Sequence, residues 1–346
     1  MDFSSKLSHW YAQNKRELPW RETTDPYRIW LSEIILQQTQ IKQGLPYYQK
    51  FVKAFPTVFD LAKATELSVL NLWQGLGYYS RARNLHATAK YIAEDLNGVF
   101  PDNYNDLLKL KGVGDYTASA IASICFDEVT PVVDGNVYRF LSRCFGVETP
   151  INSSKAKKEF KHLASALIDT HDPATFNQAM MEFGAMQCRP QNPDCGTCPF
   201  NSQCVALQQD KVKQLPIKLK KNKVKSRYFN FLVFLSGDGQ TVLEQRTGSG
   251  IWEKLYQFPL IETPKPVSLK ALKTSDGFKS LLKNLDYEIT LFNDTDWVHK
   301  LSHQHLHAKF WIVTTTVLPV KGIAVKNIKK HPVPILIDNF IKVFKF

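Results

Sequence analysis

The sequence predicts a mostly α-helical N-terminal domain over residues 1–205 and a smaller α+β domain over residues 227–346, joined by a basic linker at 206–226. Three observations predict this organisation. Apolar residues recur at helical spacing through most of the first 204 residues. Residues 211–227 then hold eight basic residues and no acidic one, which is typical of a linker. After the linker, apolar residues alternate or run together in short segments, as in strands.

The helical segments of the first domain follow one another between turn residues. The segment DPYRIWLSEIIL (25–36) begins with an aspartate that can cap a helix and a proline in the first turn. Gly, Pro, Asn or Asp separates most of the later segments, so we expect separate helices rather than one long one. These segments are LPYYQKFVKAF, ELSVLNLWQGLG, RARNLHATAKYIAEDLNG, NYNDLLKL, YTASAIASICF, GNVYRFLSRCFG, KKEFKHLASALID and TFNQAMMEFGAM.

Two stretches of the second domain predict strand pairs. RYFNFLVFLSGDGQTVLEQR (227–246) contains a Gly-Asp-Gly turn and predicts a β-hairpin. HQHLHAKFWIVTTTVLP (303–319) predicts a second pair. Its alternating histidines, His303, His305 and His307, suggest either a metal site or, with better support, one polar face of a strand.

The charge of the chain indicates an acidic partner. The formal net charge is +12 and the isoelectric point is about 9.3, which favours nucleic acid as the partner. No apolar run approaches membrane-spanning length, and the N-terminus lacks a signal-peptide pattern. We therefore expect a soluble cytoplasmic protein with no membrane partner.

Four of the six cysteines lie in one polar stretch, CRPQNPDCGTCPFNSQC (188–204). In a reducing compartment such a group favours a metal centre over disulfides. The cysteines are Cys188, Cys195, Cys198 and Cys204, and only the middle two form the short C-x-x-C knuckle that zinc ribbons pair across a longer gap. The spacing therefore favours one [4Fe-4S] cluster. Zinc and free or disulfide-bonded cysteines are the alternatives.

The other two cysteines fall in apolar helical patterns. Cys125 follows Ala118, Ile121 and Ala122, and Cys144 ends a similar pattern in GNVYRFLSRCFG. Small buried cysteines behave as ordinary apolar residues, so we expect both to be core residues and nothing more.

The stretch LKLKGVGDYTASAIASICF (108–126) predicts a helix end, a tight hairpin and a second helix. Gly112 and Gly114 allow the backbone to turn and to present N–H groups at a helix N-terminus, where a phosphate binds without any base being recognised. An ordinary helix–turn–helix joint has the same pattern. The basic charge and the cysteine group favour phosphate binding.

Two carboxylates are candidates for acid–base chemistry. Glu33 lies among Trp30, Ile34 and Ile35, and it is either a solvated residue on a polar helix face or an acid of raised pKa in a partly apolar pocket. Asp134 precedes GNVYRFL and by itself is most simply a helix N-cap.

Taken together, these motifs resemble the helix–hairpin–helix DNA glycosylases that carry an iron–sulfur loop, and most closely the MutY-type adenine glycosylases, which excise adenine mispaired with 8-oxoguanine. The resemblance spans essentially the whole first domain. Its stretches are LPWR (18–21), WLSEIILQQTQI (30–41), LWQGLGYYSRARNL (72–85), GVGDYTA (112–118), VDGNVYR (133–139), FNQAMMEFGAMQC (176–188) and the cysteine loop.

The resemblance implies roles for four catalytic residues. Glu33 would protonate the departing adenine and then handle water, because the adenine anion leaves poorly. Asp134 would stabilise the positive charge left on the sugar, much as one of the paired carboxylates does in glycoside hydrolysis. Tyr116 and Asn136 match residues that orient these two groups.

Two further positions bear on strand cleavage. Related bifunctional enzymes of the endonuclease III type have a lysine where this chain has Tyr116, and some relatives have one at Tyr138. A tyrosine forms no Schiff base, so we expect base removal without an efficient lyase step.

The remaining positions to which the resemblance assigns a role would bind DNA. The target nucleotide must leave the base stack before its base can be removed. The positions are Trp20, Arg21 and Glu182 near the adenine pocket, Gln38, Thr39 and Tyr78 beside the lesion, and Gly112 and Gly114 on a phosphate.

The second domain resembles the NUDIX-like domain by which the same family recognises 8-oxoguanine. The match lies in EQRTGSGIWEKLYQFP (244–259) and in LSHQHLH (301–307), where relatives have a Phe-Ser-His loop. Leu301 replaces the phenylalanine, whereas Ser302 and His303 are kept. The acidic catalytic box of NUDIX hydrolases is absent from the sequence, so nucleotide hydrolysis is not expected.

The sequence therefore predicts a monofunctional, monomeric adenine DNA glycosylase with one [4Fe-4S] cluster. Its partner would be double-stranded DNA carrying A:8-oxoguanine or A:G mispairs, at the nucleoid. One alternative is a thymine- or oxidised-pyrimidine-removing glycosylase on the same scaffold, and the NUDIX-like domain disfavours it. A non-catalytic lesion-binding protein is the other, and the presence of both Glu33 and Asp134 disfavours it.

Overall fold

The computed structural model describes residues 2–219 and 224–346. Among these, residues 2–63 and 84–219 form one compact unit, called here the helical unit, and residues 64–83 and 224–346 form a second, called the sheet unit. The mostly helical first part and the sheet-containing second part confirm the predicted fold class. Because the two units interleave along the chain, the sequence boundaries at 205 and 227 remain a prediction.

Twelve α-helices precede the sheet. They are α1 Phe3–Asn14, α2 Pro26–Leu36, α3 Ile41–Ala54, α4 Val58–Lys63, α5 Glu66–Trp73, α6 Ser80–Glu94, α7 Tyr104–Leu107, α8 Asp115–Phe126, α9 Gly135–Phe145, α10 Ser154–Leu167, α11 Pro173–Met186 and α12 Val205–Gln208. As predicted, α2 starts with the Asp25 cap, whose carboxylate accepts a hydrogen bond from the Tyr27 N–H at 3.0 Å, and with Pro26 in its first turn. No helix in the described ranges is long and apolar enough to cross a membrane.

The core of the helical unit forms where α1, α9, α10 and α11 bury their apolar faces. Phe140, Phe183 and Phe200 pack together at its centre, with ring centroids 4.4–5.2 Å apart, and Phe200 meets each of the other two rings edge to face. At Gly184 a side chain would meet the Asn136 carbonyl oxygen at 2.6 Å, so α11 approaches the first turn of α9 closely. Helix α2 packs on α8 and α8 on α11, which places the middle of α2 beside both.

The sheet unit is built on a five-stranded sheet. The elements after α12 are β1 Lys225–Ser236, β2 Gln240–Thr241, β3 Glu244–Gln245, β4 Tyr256–Gln257, β5 Leu260–Thr263, α13 Leu269–Lys273, α14 Asp276–Leu281, β6 Tyr287–Leu291, β7 Trp297–Lys300, β8 Gln304–Thr315, β9 Ile323–Ala324 and α15 Ile335–Phe344. The order is β5-β1-β8-β6, and β7 also pairs with β8. Among the described residues only β1 and β8 pair in parallel; β2–β9 and β3–β4 form two small separate sheets.

Alternation along the central strands produces a core on each face of the sheet. Phe229 and Phe231 of β1 face α15, where the rings of Phe310 and Phe340 stack at 4.1 Å. The intervening residues Leu232 and Phe234 point to the other face, where α13 and α14 cover them. Both central strands are therefore buried on two faces.

Both predicted strand pairs are wrong, because the segments form strands that pair with other partners. β1 pairs with β5 and β8 rather than with β2, which pairs with β9. Residues 304–315 form one long strand instead of two. Each segment contains a short continuous apolar run, residues 231–235 in β1 and 310–313 in β8, and such runs are typical of central strands whose partners come from distant parts of the chain.

Residues 64–83 belong to the sheet unit through several polar contacts. Arg83 Nη2 lies 2.9 Å from the Glu253 carboxylate, and Lys254 Nζ lies 2.7 Å from that of Glu66. The Gln74 side-chain amide donates to Asp338 at 3.2 Å. This segment therefore completes the sheet unit, although it precedes the first strand by about 150 residues along the chain.

The structure describes most of the segment predicted to be a linker. Residues 205–208 form α12, and the Leu219 N–H donates to the Asn152 side chain at 2.8 Å, so residues up to 219 lie on the helical unit. Strand β1 begins at residue 225. Residues 220–223 of the predicted linker lie outside the described residues.

Candidate active site and thiol cavity

A pocket of about 500 Å³ opens in the helical unit where α2, α8, α9 and α11 meet. It brings together eight of the residues singled out in the sequence, from segments as far apart as residues 20 and 182. These are Trp20, Arg21, Glu33, Thr39, Tyr116, Asp134, Asn136 and Glu182.

Glu33 lies at the inner end of this pocket. Its side chain is 7% exposed, and Ile29, Leu36 and Ile124 line the pocket around it. Burial raises the pKa of Glu33 to about 7; the nearby Asp134 carboxylate adds to the rise, whereas a hydrogen bond with Tyr116 opposes it. The solvated alternative does not hold in the structure, because Glu33 and the residues around it on α2, Ile29 to Ile35, are all buried. At neutral pH this carboxyl group is divided between its acid and its base form.

Asp134 combines two roles at the start of α9. Its Oδ1 accepts hydrogen bonds from the N–H groups of Asn136 and Val137, both at 2.8 Å, so it is the N-cap that its context predicts. Its Oδ2 accepts from the Asn136 side-chain amide at 2.8 Å. Burial raises the pKa of Asp134 above its ordinary value, although these hydrogen bonds oppose the rise. The cap fixes the carboxylate so that it borders the pocket.

Tyr116 connects the two carboxylates to α11. It is the second residue of α8, and its hydroxyl forms a hydrogen bond with the Glu33 carboxyl and lies 3.2 Å from Met181 Sδ. Burial and the two nearby carboxylates hold its pKa well above the ordinary value. The phenol therefore stays protonated and acts as a fixed hydrogen-bond donor.

One wall of the pocket is an ion cluster that the sequence only partly predicts. Glu182 is 1% exposed and accepts hydrogen bonds from Arg16 Nε at 2.7 Å and from Arg21 Nη2 at 2.8 Å. Burial alone would raise the pKa of Glu182, but the two guanidinium groups outweigh it and lower the pKa to about 2. Sequence reasoning missed Arg16. A buried glutamate in an apolar helix needs a counter-ion, and this was the available signal.

Other lining residues were not singled out in the sequence. Gln178 lies on α11 one turn before Glu182, Met181 directly precedes Glu182, and Gln40, Ile41 and Lys42 follow Thr39 at the start of α3. Their inclusion depends on how the helices pack, which no local pattern specifies.

The Gly112–Gly114 hairpin lies before α8 and outside the pocket lining. Gly112 has φ +84°, and a side chain there would meet Asn84 Cβ at 2.8 Å, so both its backbone conformation and its surroundings require glycine. Gly114 is the N-cap of α8 and makes no side-chain cap, which leaves the first N–H groups of this 12-residue helix directed outward.

Of the three positions expected beside a DNA lesion, Gln38 and Tyr78 are exposed, whereas Thr39 is half-buried and lines the pocket. Gln38 has φ +55°, a strained conformation for a residue other than glycine, and it lies outside the pocket lining. In the sheet unit, Tyr78 is 51% exposed with φ +47°. Its hydroxyl lies 2.8 Å from Ser302 Oγ, so the predicted wedge and the predicted lesion-recognising loop meet within one unit.

Ser302 and His303 lie at the tip of the hairpin between β7 and β8. The Leu301 N–H donates to the Gln304 carbonyl at 2.8 Å and closes the turn, which leaves both residues exposed. Leu301 packs against the core of the sheet unit. His305 and His307 lie on β8, but His303 lies outside the strand, so the three histidines do not share a strand face.

The four loop cysteines line one cavity beside the core of the helical unit, together with Phe140, Phe183, Phe200 and Arg143. Arg143 Nη1 donates to Cys188 Sγ at 3.5 Å and to the Arg189 carbonyl at 2.7 Å, so a buried cation lies beside the thiols and holds the loop. The cysteines are unpaired, and no group of three or more potential ligands in the described chain is already arranged around a metal position. The four thiols are a donor set that fits an iron–sulfur cluster. The apolar lining and the adjacent cation suit a buried cluster of negative charge.

Comparison with protein families identifies both parts of the chain. The model of the HhH-GPD superfamily base excision DNA repair proteins matches residues 31–166, and a NUDIX domain model matches residues 230–343.

Similar proteins are known from bacteria and mammals. The adenine DNA glycosylase of Buchnera aphidicola subsp. Schizaphis graminum (strain Sg) is 35% identical over 306 residues, which are 88% of this chain and 85% of the relative. The adenine DNA glycosylase of Mus musculus is 44% identical over 216 residues, 60% of this chain and 42% of the mouse protein.

Solved structures are similar to the first part of the chain. A thermostable thymine-DNA glycosylase superposes with a TM-score of 0.56 at 29% identity and covers 60% of this chain and 95% of its own. Endonuclease III in a non-covalent complex with DNA superposes with a TM-score of 0.52 at 20% identity, over 60% of this chain and 94% of its own, which shows a shared fold.

Proposed function

Because the chain belongs to the adenine DNA glycosylases of the HhH-GPD superfamily, and so hydrolyses the N-glycosidic bond of adenine in DNA during base excision repair, we propose that its substrate is adenine mispaired with 8-oxoguanine or guanine and that it removes the base without cutting the strand. The observation that carries this proposal is the pair of carboxyl groups, Glu33 and Asp134, in one pocket where burial raises the pKa of Glu33 to about 7.

The pocket supplies what the reaction needs. The protonated Glu33 donates its proton to the adenine, which then leaves as a neutral base instead of an anion. Asp134, held by the first turn of α9, places negative charge beside the sugar as positive charge develops there. Glu33, now ionised, then accepts a proton from the water that attacks the sugar. Tyr116 holds Glu33 in place throughout.

The rate of adenine release should depend on pH in a way that reports Glu33. Its acid form is the reactive one and its pKa is about 7, so the single-turnover rate should fall as pH rises through 7. Tyr116→Phe removes a hydrogen bond that lowers this pKa, so this descending limb should move to higher pH. Tyr104→Phe is the matched control, because it removes a tyrosine hydrogen bond to Asp115 outside the pocket. If the descending limb of the pH–rate profile lies at the same pH in Tyr116→Phe as in the wild type, the limb reports a group other than Glu33.

The proposed substrate and the absence of strand cleavage are tested together. Duplexes carrying A:8-oxoguanine, A:G, A:C, T:G and A:T pairs are incubated with the full chain, with and without alkali. We expect abasic sites only opposite 8-oxoguanine and guanine, strand breaks only after alkali, and little covalent complex trapped by borohydride, because Tyr116 and Tyr138 provide no amine. Efficient cleavage before alkali treatment would contradict the proposal, and release of thymine would support the alternative substrate.

The thymine-DNA glycosylase aligns over 60% of this chain and leaves the NUDIX domain without a counterpart, which disfavours that alternative.

The β7–β8 hairpin tip is proposed to recognise the 8-oxoguanine. Ser302→Ala and His303→Ala should each narrow the preference for 8-oxoguanine over guanine opposite adenine, by up to about tenfold if each removes a polar contact of about 1 kcal/mol. His305→Ala, on the same strand pair but outside the tip, is the control. Full discrimination in both tip variants, measured by single-turnover release from the two mispairs, would place lesion recognition elsewhere.

The DNA-binding assignments follow from the exposed positions and the charge. The N–H groups before α8 would bind a backbone phosphate, and Gln38, Thr39 and Tyr78 would fill the duplex beside the extruded adenine. A net charge of +12 would attract the chain to DNA. We propose that it acts there as a monomer, at the nucleoid.

The thiol cavity is proposed to hold one [4Fe-4S] cluster through Cys188, Cys195, Cys198 and Cys204. When bound, the cluster would cross-link the loop by four iron–thiolate bonds. Arg143 would balance its negative charge and keep the loop backbone in place. No catalytic step passes through it.

A further inference from the structure

The thiol cavity is lined by five cysteines, one more than the loop supplies. Cys144 lies on α9, is 3% exposed and faces the same cavity as the four loop thiols. Hydrogen bonds to sulfur at this site join Cys188 to the Arg143 side chain and Cys204 to the Arg143 carbonyl, and none within the described residues engages the Cys144 sulfur. Cys125, the remaining cysteine, does not line the cavity.

The four loop cysteines are unequally protected. Cys188 and Cys198 pack against the apolar core of the helical unit. Cys195 has exposed residues on both sides and also borders an open surface depression with Gly196, Asn201 and Ser202. Oxidation of cysteine depends on access as well as on thiolate character, so Cys195 is the ligand that oxidants reach first.

We propose that Cys144 is a reserve ligand that replaces Cys195 on the cluster when the Cys195 thiolate is lost; this rests on the proposed [4Fe-4S] cluster. In the exchange, the iron–sulfur bond that Cys195 would make is broken, the Cys144 thiol would pass its proton to the released Cys195 sulfur group, and the Cys144 sulfur would bind the iron left without a ligand. Iron and sulfide are conserved, and no change in oxidation state is required. The buried wall of the cavity thus provides the ligand that the exposed wall loses.

Iron and sulfide content and visible absorbance test the proposal in the full chain. The proteins are the wild type, Cys195→Ala, Cys144→Ala, the double variant, and Cys125→Ala as the matched control. We expect about four irons per chain in the wild type, in the Cys125 control and in Cys144→Ala, with Cys195→Ala close to them. The double variant should hold less than about half as much iron, because it lacks both the exposed ligand and its replacement.

The outcomes separate this proposal from the one on which it depends. A wild type without iron would contradict the cluster itself. The reserve role would be overturned if the wild type holds iron and Cys195→Ala holds none. It would also be overturned if the double variant holds as much iron as Cys195→Ala.

A second measurement does not depend on how the Cys195 variant folds. Loaded wild type and Cys144→Ala are treated with limiting peroxide, and oxidised Cys195 is quantified by peptide mapping beside retained iron. Wild type should keep its iron at doses that remove it from Cys144→Ala. Equal iron loss in the two proteins would overturn the proposal.

Discussion

Replacing Glu33 with glutamine is expected to lower the single-turnover rate of adenine release by about 10²–10⁴-fold or more, while affinity for the mispaired duplex stays close to that of the wild type. Glutamine keeps the shape of the side chain and can still form a hydrogen bond with Tyr116, but it has no acidic proton for the departing base. The measurement is rapid-quench release of adenine under enzyme excess, paired with a binding titration of the same duplex.

The matched control is Glu94→Gln, which makes the same chemical change on an exposed position at the end of α6. It should leave both the rate and the affinity unchanged. A Glu33→Gln enzyme that releases adenine at the wild-type rate would refute the catalytic assignment. Loss of duplex binding together with the rate would show that the substitution disrupts the pocket rather than the proton transfer.

The second large effect concerns stability. Glu182→Gln should cost about 3–5 kcal/mol of unfolding free energy, because Arg16 and Arg21 would keep their charges in the pocket wall without a carboxylate. Arg21 is the more buried of the two, so most of the penalty arises there. The measurement is the midpoint of urea unfolding of the full chain.

Asp106→Asn is the control for this prediction. It removes the same type of group from an exposed ion pair with Lys109, and solvent screens such pairs, so the midpoint should stay close to that of the wild type. If both variants unfold at the wild-type urea concentration, the ion cluster contributes little to stability. The interpretation of Glu182 as the anchor of this wall would then be wrong.

Local sequence patterns predicted the helices well but could not decide whether their polar residues are buried. Helix α2 shows the limit. Its apolar residues surround Glu33 on all sides, so helical spacing alone leaves the carboxyl either exposed or enclosed. Packing of α8 and α11 decides the outcome, and those helices come about 80 and 140 residues later in the chain.

The strands show the same limit more strongly. β1 and β8 are recognisable as strands from their composition, yet their pairing joins residue 225 to residue 304. The Gly-Asp-Gly turn after β1 predicts a local partner, but burial on both faces makes β1 a central strand, and its partners come from far along the chain.

Cys144 shows how a correct prediction can be incomplete. Its apolar pattern predicts a buried core residue, and the structure places it in the core of the helical unit. The pattern contains no information on which other side chains share that place. The neighbouring thiols come from a loop that begins more than 40 residues later.

The assignment of residues 64–83 to the sheet unit limits how such an enzyme can be rearranged by recombination. A gene fragment that starts at the basic linker would encode the sheet but omit Arg83, Glu66 and Gln74, and with them the partners of Glu253, Lys254 and Asp338. The sheet unit therefore cannot be transferred intact to an unrelated glycosylase by a fragment that starts at the linker. It must be inherited together with residues 64–83, which precede the linker in the chain.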